Sequence, residues 1–365
     1  TQGVSSAASD VYKRQIMKLS TLLLSSAALV VAGSAYAADL PAKKGAPAAK
    51  AMAGCPAFGA GYFAIPGGDT CLKISGFARS NSSYTTSAVT RGTAAYSLAG
   101  ALYLAVDAKN NSELGTVSST LAFYNNTVDE VYAQVAGWTF GQADTLADHN
   151  IGAGSNGGFY NSNNLGTIRY ALPLGSSTLS LGVESAVDHQ HNSAVSATKS
   201  GRPDMHVRLD TSAGAAKVTL GAMSHEATGS ASGSANAYAL LGSATISSGP
   251  AKVQLYGAYA SGLSYILTAD STINSTGFYD VNTTSSTLSS GTNLGAATSF
   301  DTGAGTFGVW GNQVAINDAS TTVVNYKYSA AGAYFKTSIA KGLWARPEIY
   351  VKNEDANGTT SSSSN

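Results

Sequence analysis

Charged side chains that could act on a solute are concentrated in one irregular segment and on a few predicted strands. Residues 142–166 carry Asp144, Asp148 and His149, followed by a run rich in Asn, Gly and Ser. If this segment folds against basic side chains across a water-filled space, the opposed charges would create a transverse field that orders water and selects ions. The alternative is an exposed loop whose charges are solvated. The best basic candidates are Arg79, Arg169 and Arg208.

The residue types that perform catalysis or bind cofactors are not spaced for either task. No H-E-x-x-H, G-x-S-x-G or Walker motif occurs. Residues 152–157 and 303–308 match G-x-G-x-x-G, but neither stretch lies in a strand–loop–helix unit, and the chain has 40 glycines. His189 and His191 are more simply a solvated loop pair than a metal site. We therefore predict no catalytic residue, no cofactor, no metal ion and no enzyme activity.

The elements that must position the charged residues are β-strands. From Leu72 onward, segments of about ten residues alternate apolar and polar side chains between clusters of Gly, Asn, Ser and Asp. Strict period two predicts strands with one apolar face, and the three arginines lie on the polar faces. The predicted apolar faces include Ile74, Leu102, Leu104, Leu121, Ile168 and Leu181.

The same alternation fits two environments, a soluble sandwich and a large barrel with a wet lumen. Three features favour the barrel: predicted export, many small apolar residues, and aromatic residues near segment ends, where interfacial girdles lie. Backbone groups in hydrocarbon must all be paired, so the sheet must close. We therefore predict an all-β fold, a transmembrane antiparallel β-barrel. The girdle candidates are Tyr124, Tyr170, Phe300, Trp310, Tyr326, Tyr328 and Trp344.

The N-terminus predicts export. A lysine and an apolar run follow Met17, and an A-x-A cleavage site ends at Ala37, which together are typical of a Sec signal peptide cleaved after Ala37. The apolar run is too short to span a bilayer as an ordinary helix. The predicted organisation is an adaptor-like, non-native leader at residues 1–16, the signal peptide at 17–37, a periplasmic leader rich in Ala, Lys and Pro at 38–54, and the barrel at 55–365.

The chain has two cysteines, Cys55 and Cys71. An even count in an exported chain favours one disulfide, and two free thiols are the alternative. The spacing fits no zinc site, because no second pair of cysteines or histidines accompanies it.

The N-terminal part of the predicted barrel resembles a known family. Residues 55–79 (CPAFGAGYFAIPGGDTCLKISGFAR) closely resemble the N-terminal motif of the general porins of alphaproteobacteria. The resemblance implies a sixteen-stranded, homotrimeric porin in the Gram-negative outer membrane, with a third extracellular loop folded inward as a constriction. It also implies passive diffusion of small hydrophilic solutes and ions. Weaker matches are residues 107–116 (DAKNNSELGT), 132–141 (YAQVAGWTFG) and 341–348 (KGLWARPE).

The C-terminal tail departs from the family pattern. The family ends in a strand with a terminal aromatic residue, whereas residues 357–365 (NGTTSSSSN) are loop-like. The departure predicts a C-terminally truncated sequence in which the last strand is missing, and it leaves closure of the barrel open.

Two other classes of protein compete with a diffusion channel. Richness in Ser, Thr and Gly would suit a secreted structural or adhesive β-rich protein, but no fixed-period repeat is visible. A barrel enzyme would need a nucleophile and a base that the motifs do not supply. The net charge of zero gives no reason to expect a nucleic-acid partner. The expected partners are therefore the lipid bilayer, small solutes and ions.

Overall fold

The structure, a computed structural model, describes residues 53–87, 94–149, 164–186, 201–229, 233–268, 280–281, 287–319, 325–356 and 359–364. The predicted adaptor and signal peptide lie outside the described residues. So do residues 38–52 of the predicted leader, the pair His189 and His191, and residues 150–163 of the predicted inward segment.

The described residues form strands almost throughout. The helical elements are a 3-10 turn at Pro56–Phe58 and one short helix, α1, at Ser264–Leu267. None of the helices in the described ranges has the length and hydropathy needed to cross a membrane. The strands are β1 Phe63–Ala64, β2 Cys71–Ser87, β3 Ala94–Ser112, β4 Gly115–Tyr124, β5 Thr127–Val135, β6 Trp138–Asp144, β7 Asn164–Leu174, β8 Ser177–Glu184, β9 Asp204–Ala213, β10 Ala216–Gly229, β11 Gly233–Ser248, β12 Ala251–Ser261, β13 Ser290–Asp301, β14 Thr306–Asn317, β15 Asn325–Ala340, β16 Leu343–Ala345, β17 Glu348–Ala356 and β18 Thr359–Ser364.

The strands form one closed antiparallel sheet. Each strand from β2 to β15 pairs with the next along the chain, and β16 and β17 pair with successive parts of β15. The sheet continues with the pairing of β17 and β18, and the pairing of β18 with β2 closes it. Counting β16 and β17 as one interrupted strand, the described part of the sheet has sixteen positions, so the predicted barrel is confirmed.

The two ends of the sheet differ in their connections. At one end, two residues join Ser112 to Gly115 and two join Leu174 to Ser177. At the other end, long connections follow β6, β8 and β12. This asymmetry is typical of outer-membrane barrels, whose turns are short on one side and whose loops are longer on the other.

The two faces of the sheet match the predicted alternation. The outward apolar residues are more exposed than their polar neighbours: Leu181 is 50% exposed, while Ser180 is 8% exposed. A soluble sandwich would show the reverse, because its apolar face is its dry core. The predicted outward positions Ile74, Leu102, Leu104, Leu121, Ile168 and Leu181 are all among the exposed large apolar residues.

Part of the interior is apolar, which the sequence pattern did not predict. The inward faces of β10–β17 carry small residues and aromatic rings, and these are buried against residues of α1. Trp310, Tyr326 and Tyr328 belong to this interior cluster. Their predicted place in an interfacial girdle is therefore wrong, because alternation in β14 and β15 turns them away from the outer surface.

A disulfide between Cys55 and Cys71 fastens the N-terminal motif to the first long strand, as predicted. Cys71 is the first residue of β2 and pairs with Lys109 near the short turn after β3, so the motif lies at the short-turn end. The Nζ atoms of Lys73 and Lys109 lie 5.8 Å and 4.9 Å from the centre of the Tyr62 ring. These cation–π contacts also hold the motif to β2 and β3.

The tail forms a strand where the sequence predicted a loop. In β18, residues Thr359–Ser364 pair with β17 along their whole length, and Ser363 and Ser364 pair with β2. The unpaired edge of β17 offers backbone donors and acceptors, and satisfying them outweighs the weak strand preference of serine. Among the described strands, the rest of this edge of β2 pairs only with β1, so closure of the barrel rests on two residue pairs.

Candidate functional site

The segment that follows β6 lies against the interior wall. Thr145, Leu146 and Ala147 are buried, and His149 is only 3% exposed. Glu184, at the end of β8, accepts hydrogen bonds from Thr145 Oγ1 at 2.5 Å and from the Leu146 backbone N–H at 2.8 Å. The segment is therefore fixed to the wall at the end of the barrel that carries the long connections.

The anchoring carboxylate is shared with a histidine of the next strand. His206 Nε2 on β9 lies 3.2 Å from Glu184 Oε2, and both side chains are almost completely buried. A buried carboxylate is tolerated only when its lone pairs are used. The Thr145 hydroxyl and the Leu146 amide each donate to one oxygen of Glu184, and His206 lies beside it, so Glu184 holds the segment in place and is not itself free to face a solute.

Two of the predicted arginines reach the same segment. Arg169 Nη1 on β7 donates to the Asp144 carbonyl at 2.7 Å, and Arg208 Nη1 on β9 donates to the Asp148 carbonyl at 2.6 Å. Arg208 also forms an ion pair with Asp210, with 2.9 Å between Nε and Oδ2. Arg169 and Arg208 thus bind the backbone of the segment from its own side of the lumen. Both hydrogen bonds go to main-chain carbonyls and not to the carboxylates of Asp144 and Asp148.

Two glycines in the wall make room for the segment. A Cβ at Gly182 on β8 would lie 3.1 Å from Leu146 Cδ1, and a Cβ at Gly221 on β10 would lie 2.6 Å from His149 Nε2. Larger residues at these positions would displace the segment. The close fit extends over four consecutive strands, β7 to β10.

His149 occupies an unusual environment for an ionisable group. Its ring lies against Gly221, and neither ring nitrogen forms a hydrogen bond. Burial, followed by the positive charge of Arg208, lowers the pKa of His149 from 6.5 to about 4, against the opposing effects of Asp210 and the Leu146 backbone. The ring is therefore neutral at physiological pH.

The third predicted arginine lies on another wall. Arg79 is exposed on the inward face of β2, and its Nη2 donates to the Tyr124 hydroxyl at 2.8 Å. In a sheet of sixteen positions, β2 and β10 are eight positions apart in either direction. Arg79 therefore faces the wall that carries the segment, whereas Arg169 and Arg208 do not lie across from it.

The wall beside Arg79 is both aromatic and acidic. Phe77 and Tyr103 stack with 5.6 Å between ring centres, and the Tyr103 hydroxyl donates to Glu130 Oε2 at 3.4 Å. Nearby on β3, Asp107 accepts a hydrogen bond from Thr120 Oγ1 at 2.7 Å. Side chains of both charge signs therefore lie along this wall.

Sequence reasoning did not identify the anchoring residues Glu184, His206 and Gly221. The available signal was their position: Glu184 and His206 lie on polar faces at the strand ends next to long connections. Alternation places such residues in the interior, but it does not tell which of them a loop will contact. In the described ranges, no three His, Cys, Asp or Glu side chains come close enough to hold a metal ion.

A closed sixteen-position sheet with an apolar outer face, a polar inner wall and an inward segment defines the class of outer-membrane β-barrel channels. The family model of the Porin subfamily matches residues 41–364, and the chain belongs to this family. Fold and family thus point to a channel protein rather than to an enzyme or a secreted structural protein.

Curated relatives match over shorter stretches. The Sinorhizobium fredii protein y4fJ, provisionally described as an outer membrane protein, is 35% identical over 145 residues, which cover 34% of this chain and 42% of that protein. Porin Omp2a of Brucella ovis is 50% identical over 64 residues, covering 17% of this chain and 18% of that porin. The matches thus span less than half the length of these relatives.

Solved structures share the fold at low identity. The outer membrane channel DcaP of Acinetobacter baumannii superposes with a TM-score of 0.69 at 14% identity, covering 81% of this chain and 96% of that one. OmpT of Vibrio cholerae, in its trimer form, superposes with a TM-score of 0.53 at 10% identity, covering 81% of this chain and 98% of that one. At such identities the likeness concerns the fold alone.

Proposed function

We propose that this protein is an outer-membrane porin whose water-filled channel passes small hydrophilic solutes and ions by passive diffusion. The observation that carries the proposal is the polar inner wall with a segment fixed against it, inside a sheet whose outer face is apolar. Such a wall offers solutes a wet path, and an inward segment narrows it. Neither part of this arrangement requires a cofactor.

Liposome swelling tests the diffusion function. Proteoliposomes that contain the protein should swell in neutral sugars at rates that fall with sugar size and depend little on sugar stereochemistry. Swelling for one sugar alone would indicate a specific carrier or binding channel, and no swelling above protein-free liposomes would contradict a diffusion channel.

We further propose that Asp144, Asp148 and Arg79 define the charge balance of the constriction, with Arg169 and Arg208 as supports of the segment. Arg79 faces the segment across the lumen, and charges in a confined channel are screened less than in bulk, where the Debye length is about 8 Å at physiological salt. Changing Asp144 and Asp148 together to Asn should therefore shift the reversal potential toward anion preference. Arg79→Gln should shift it toward cations.

The matched control is Asp301→Asn, which removes one carboxylate from the exposed turn after β13 at the opposite end of the barrel. It should leave the reversal potential in a salt gradient unchanged. If the Asp144 and Asp148 double variant also leaves selectivity and conductance unchanged, the charges of this segment do not line the narrowest part of the channel.

Assembly and export complete the proposal. A homotrimer is supported by the trimer form of OmpT, which has the same fold, and chemical cross-linking in detergent should give a three-subunit species.

Export through the Sec pathway is supported by the residue pattern before Ala37, and N-terminal sequencing of the mature protein should begin at Ala38.

A further inference from the structure

A second segment enters the interior, between β12 and β13. Leu263, Ile266 and Leu267 are at most 1% exposed and belong to the interior apolar cluster. The Leu267 carbonyl accepts a hydrogen bond from Asn293 Nδ2 at 2.7 Å. A Cβ at Gly291 would lie 2.8 Å from Leu267 Cδ1. Gly291 and Asn293 share the inward face of β13, so the segment lies inside the sheet.

One buried carboxylate ties the two ends of this segment together. Asp280 is fully buried, and its Oδ1 accepts from the Ser264 backbone N–H at 2.9 Å and from Ser289 Oγ at 2.6 Å. Its Oδ2 accepts from Ser264 Oγ at 3.1 Å. Ser264 lies just after β12 and Ser289 just before β13, so Asp280 joins the departing and returning chain.

The wall under the segment is apolar, so covering it with the segment is favourable. Val314 and Ile316 on β14 and Tyr326 on β15 point inward and are at most 1% exposed. Leaving such a surface in water would cost about 25 cal/mol for each Å² of apolar area. Because α1 and Val281 pack into the same cluster, the segment behaves as part of a packed core.

The two inward segments occupy neighbouring parts of the wall. The first contacts β7 to β10, and the second contacts β11 to β13 and packs in one cluster with side chains of β14 and β15. The wall of β2 to β5, with Arg79 and Phe77, faces them across the interior. Arg79 and Phe77 are exposed, so the described parts of the two segments leave this wall open to the interior.

We propose that residues 263–268, held by Asp280, are a second fixed constriction that sets the size limit of the channel, with Asp280 as its positioning residue. This inference rests on the proposed diffusion function. It assigns size selection to the second segment and leaves charge selection to the first. Residues 263–268 carry no charged side chain, so they narrow the channel without adding charge to it.

The test is Asp280→Ala, measured as single-channel conductance and as the largest sugar that swells proteoliposomes. Removing the carboxylate leaves three donors without an acceptor and releases the segment. Conductance should rise roughly 1.5-fold or more, because it follows the open cross-section, and larger sugars should enter. Asp301→Ala, which removes a carboxylate from an exposed turn, is the matched control and should change neither quantity.

Ser289→Ala removes a single hydrogen bond and serves as the milder variant. It should change both quantities in the same direction by a smaller amount, and it decides the question if Asp280→Ala does not fold. Unchanged conductance and an unchanged size limit in folded variants would overturn the role of Asp280 while the channel function stands. If the unaltered protein forms no channel, the diffusion function fails and this inference with it.

Discussion

Individual buried polar residues in this protein hold chain segments in position. Glu184 accepts hydrogen bonds on its two oxygens from Thr145 and Leu146, and Asp280 accepts on its two from Ser264 and Ser289. Each carboxylate lies where a long connection turns into the barrel interior. Because an unpaired buried charge is very unfavourable, such residues specify one position for a segment that is otherwise polar and irregular.

His149 makes docking of the first segment sensitive to acid. The docked ring has a pKa of about 4 and a free ring about 6.5, so protonation favours the undocked segment. Docking is fully stabilised above pH 6.5 and weakens as the pH falls to about 4, by about 3 kcal/mol in all. The protection factor of the Leu146 amide, which compares its exchange rate with the intrinsic rate at the same pH, should therefore fall between pH 7 and pH 5.

Two variants isolate this effect from other titrating groups. His149→Gln removes the titration, so the protection factor of the Leu146 amide should lose its pH dependence in that range. Gly221→Ala should displace the ring and accelerate exchange at every pH. Gly242→Ala, where a Cβ would lie 3.5 Å from its nearest neighbour, is the control. An identical pH dependence in His149→Gln and in the unaltered protein would refute the role of His149.

At the scale of single strands, the outer face is the one that meets hydrocarbon. Leu121 on β4 is 38% exposed on this face, and the adjacent Thr120 points inward and bonds Asp107. Leu121→Arg should therefore reduce the free energy of folding into liposomes by about 2–4 kcal/mol near mid-bilayer. Thr120→Arg should be tolerated, because it places a cation beside Asp107 in the lumen. Equal costs for the two variants would contradict the assigned faces.

The N-terminal motif is the element that depends on a covalent bond. In the chain-entropy model, the disulfide that closes a 16-residue separation contributes about 3 kcal/mol. Its effect should be local, because β2 to β4 are held by their own pairing. In Cys55→Ser, protease sites in residues 53–64 should become accessible while the barrel stays folded. Protease resistance equal to that of the unaltered protein would show that the contacts of Lys73 and Lys109 with Tyr62 are enough to hold the motif in place.

Sequence patterns predicted the strands better than the interior. Alternation is a local property, so the outward positions of Leu102 and Ile168 followed directly from neighbouring residues. The disulfide likewise followed from export and an even cysteine count. Long-range contacts leave no such local signal. Residues 263–268 have no periodicity that would place them inside a barrel, and Glu184 resembles any other polar residue of an inner wall.

The aromatic residues show the same limit. Phe300 and Trp344 are exposed, as a girdle requires, whereas Trp310 and Tyr326 are buried inside. All four lie near predicted strand ends, so proximity to an end could not separate them. The face of the strand decides whether an aromatic side chain points outward or inward. The register of β14 and β15 turns Trp310 and Tyr326 inward. The strand at β18 was missed for a related reason, because β2, the partner strand that closes the sheet, is distant in the chain.

The described part of the barrel combines an apolar outer face with an interior that is packed along one wall and exposed along another. Two inward segments lie against the wall from β7 to β15, and the wall of β2 to β5 faces them across the interior. Arg79, Glu130 and Asp107 line this second wall with charges of both signs. The architecture therefore predicts a narrow, water-filled channel with limited ion preference.

The most direct test of this account is single-channel recording in planar bilayers over a series of KCl concentrations. A water-filled channel predicts stepwise current increments whose conductance rises in proportion to the bulk conductivity of the solution, because ions cross in a largely hydrated state. The absence of discrete steps, or a conductance that saturates at low salt as at a tight binding site, would contradict a diffusion channel.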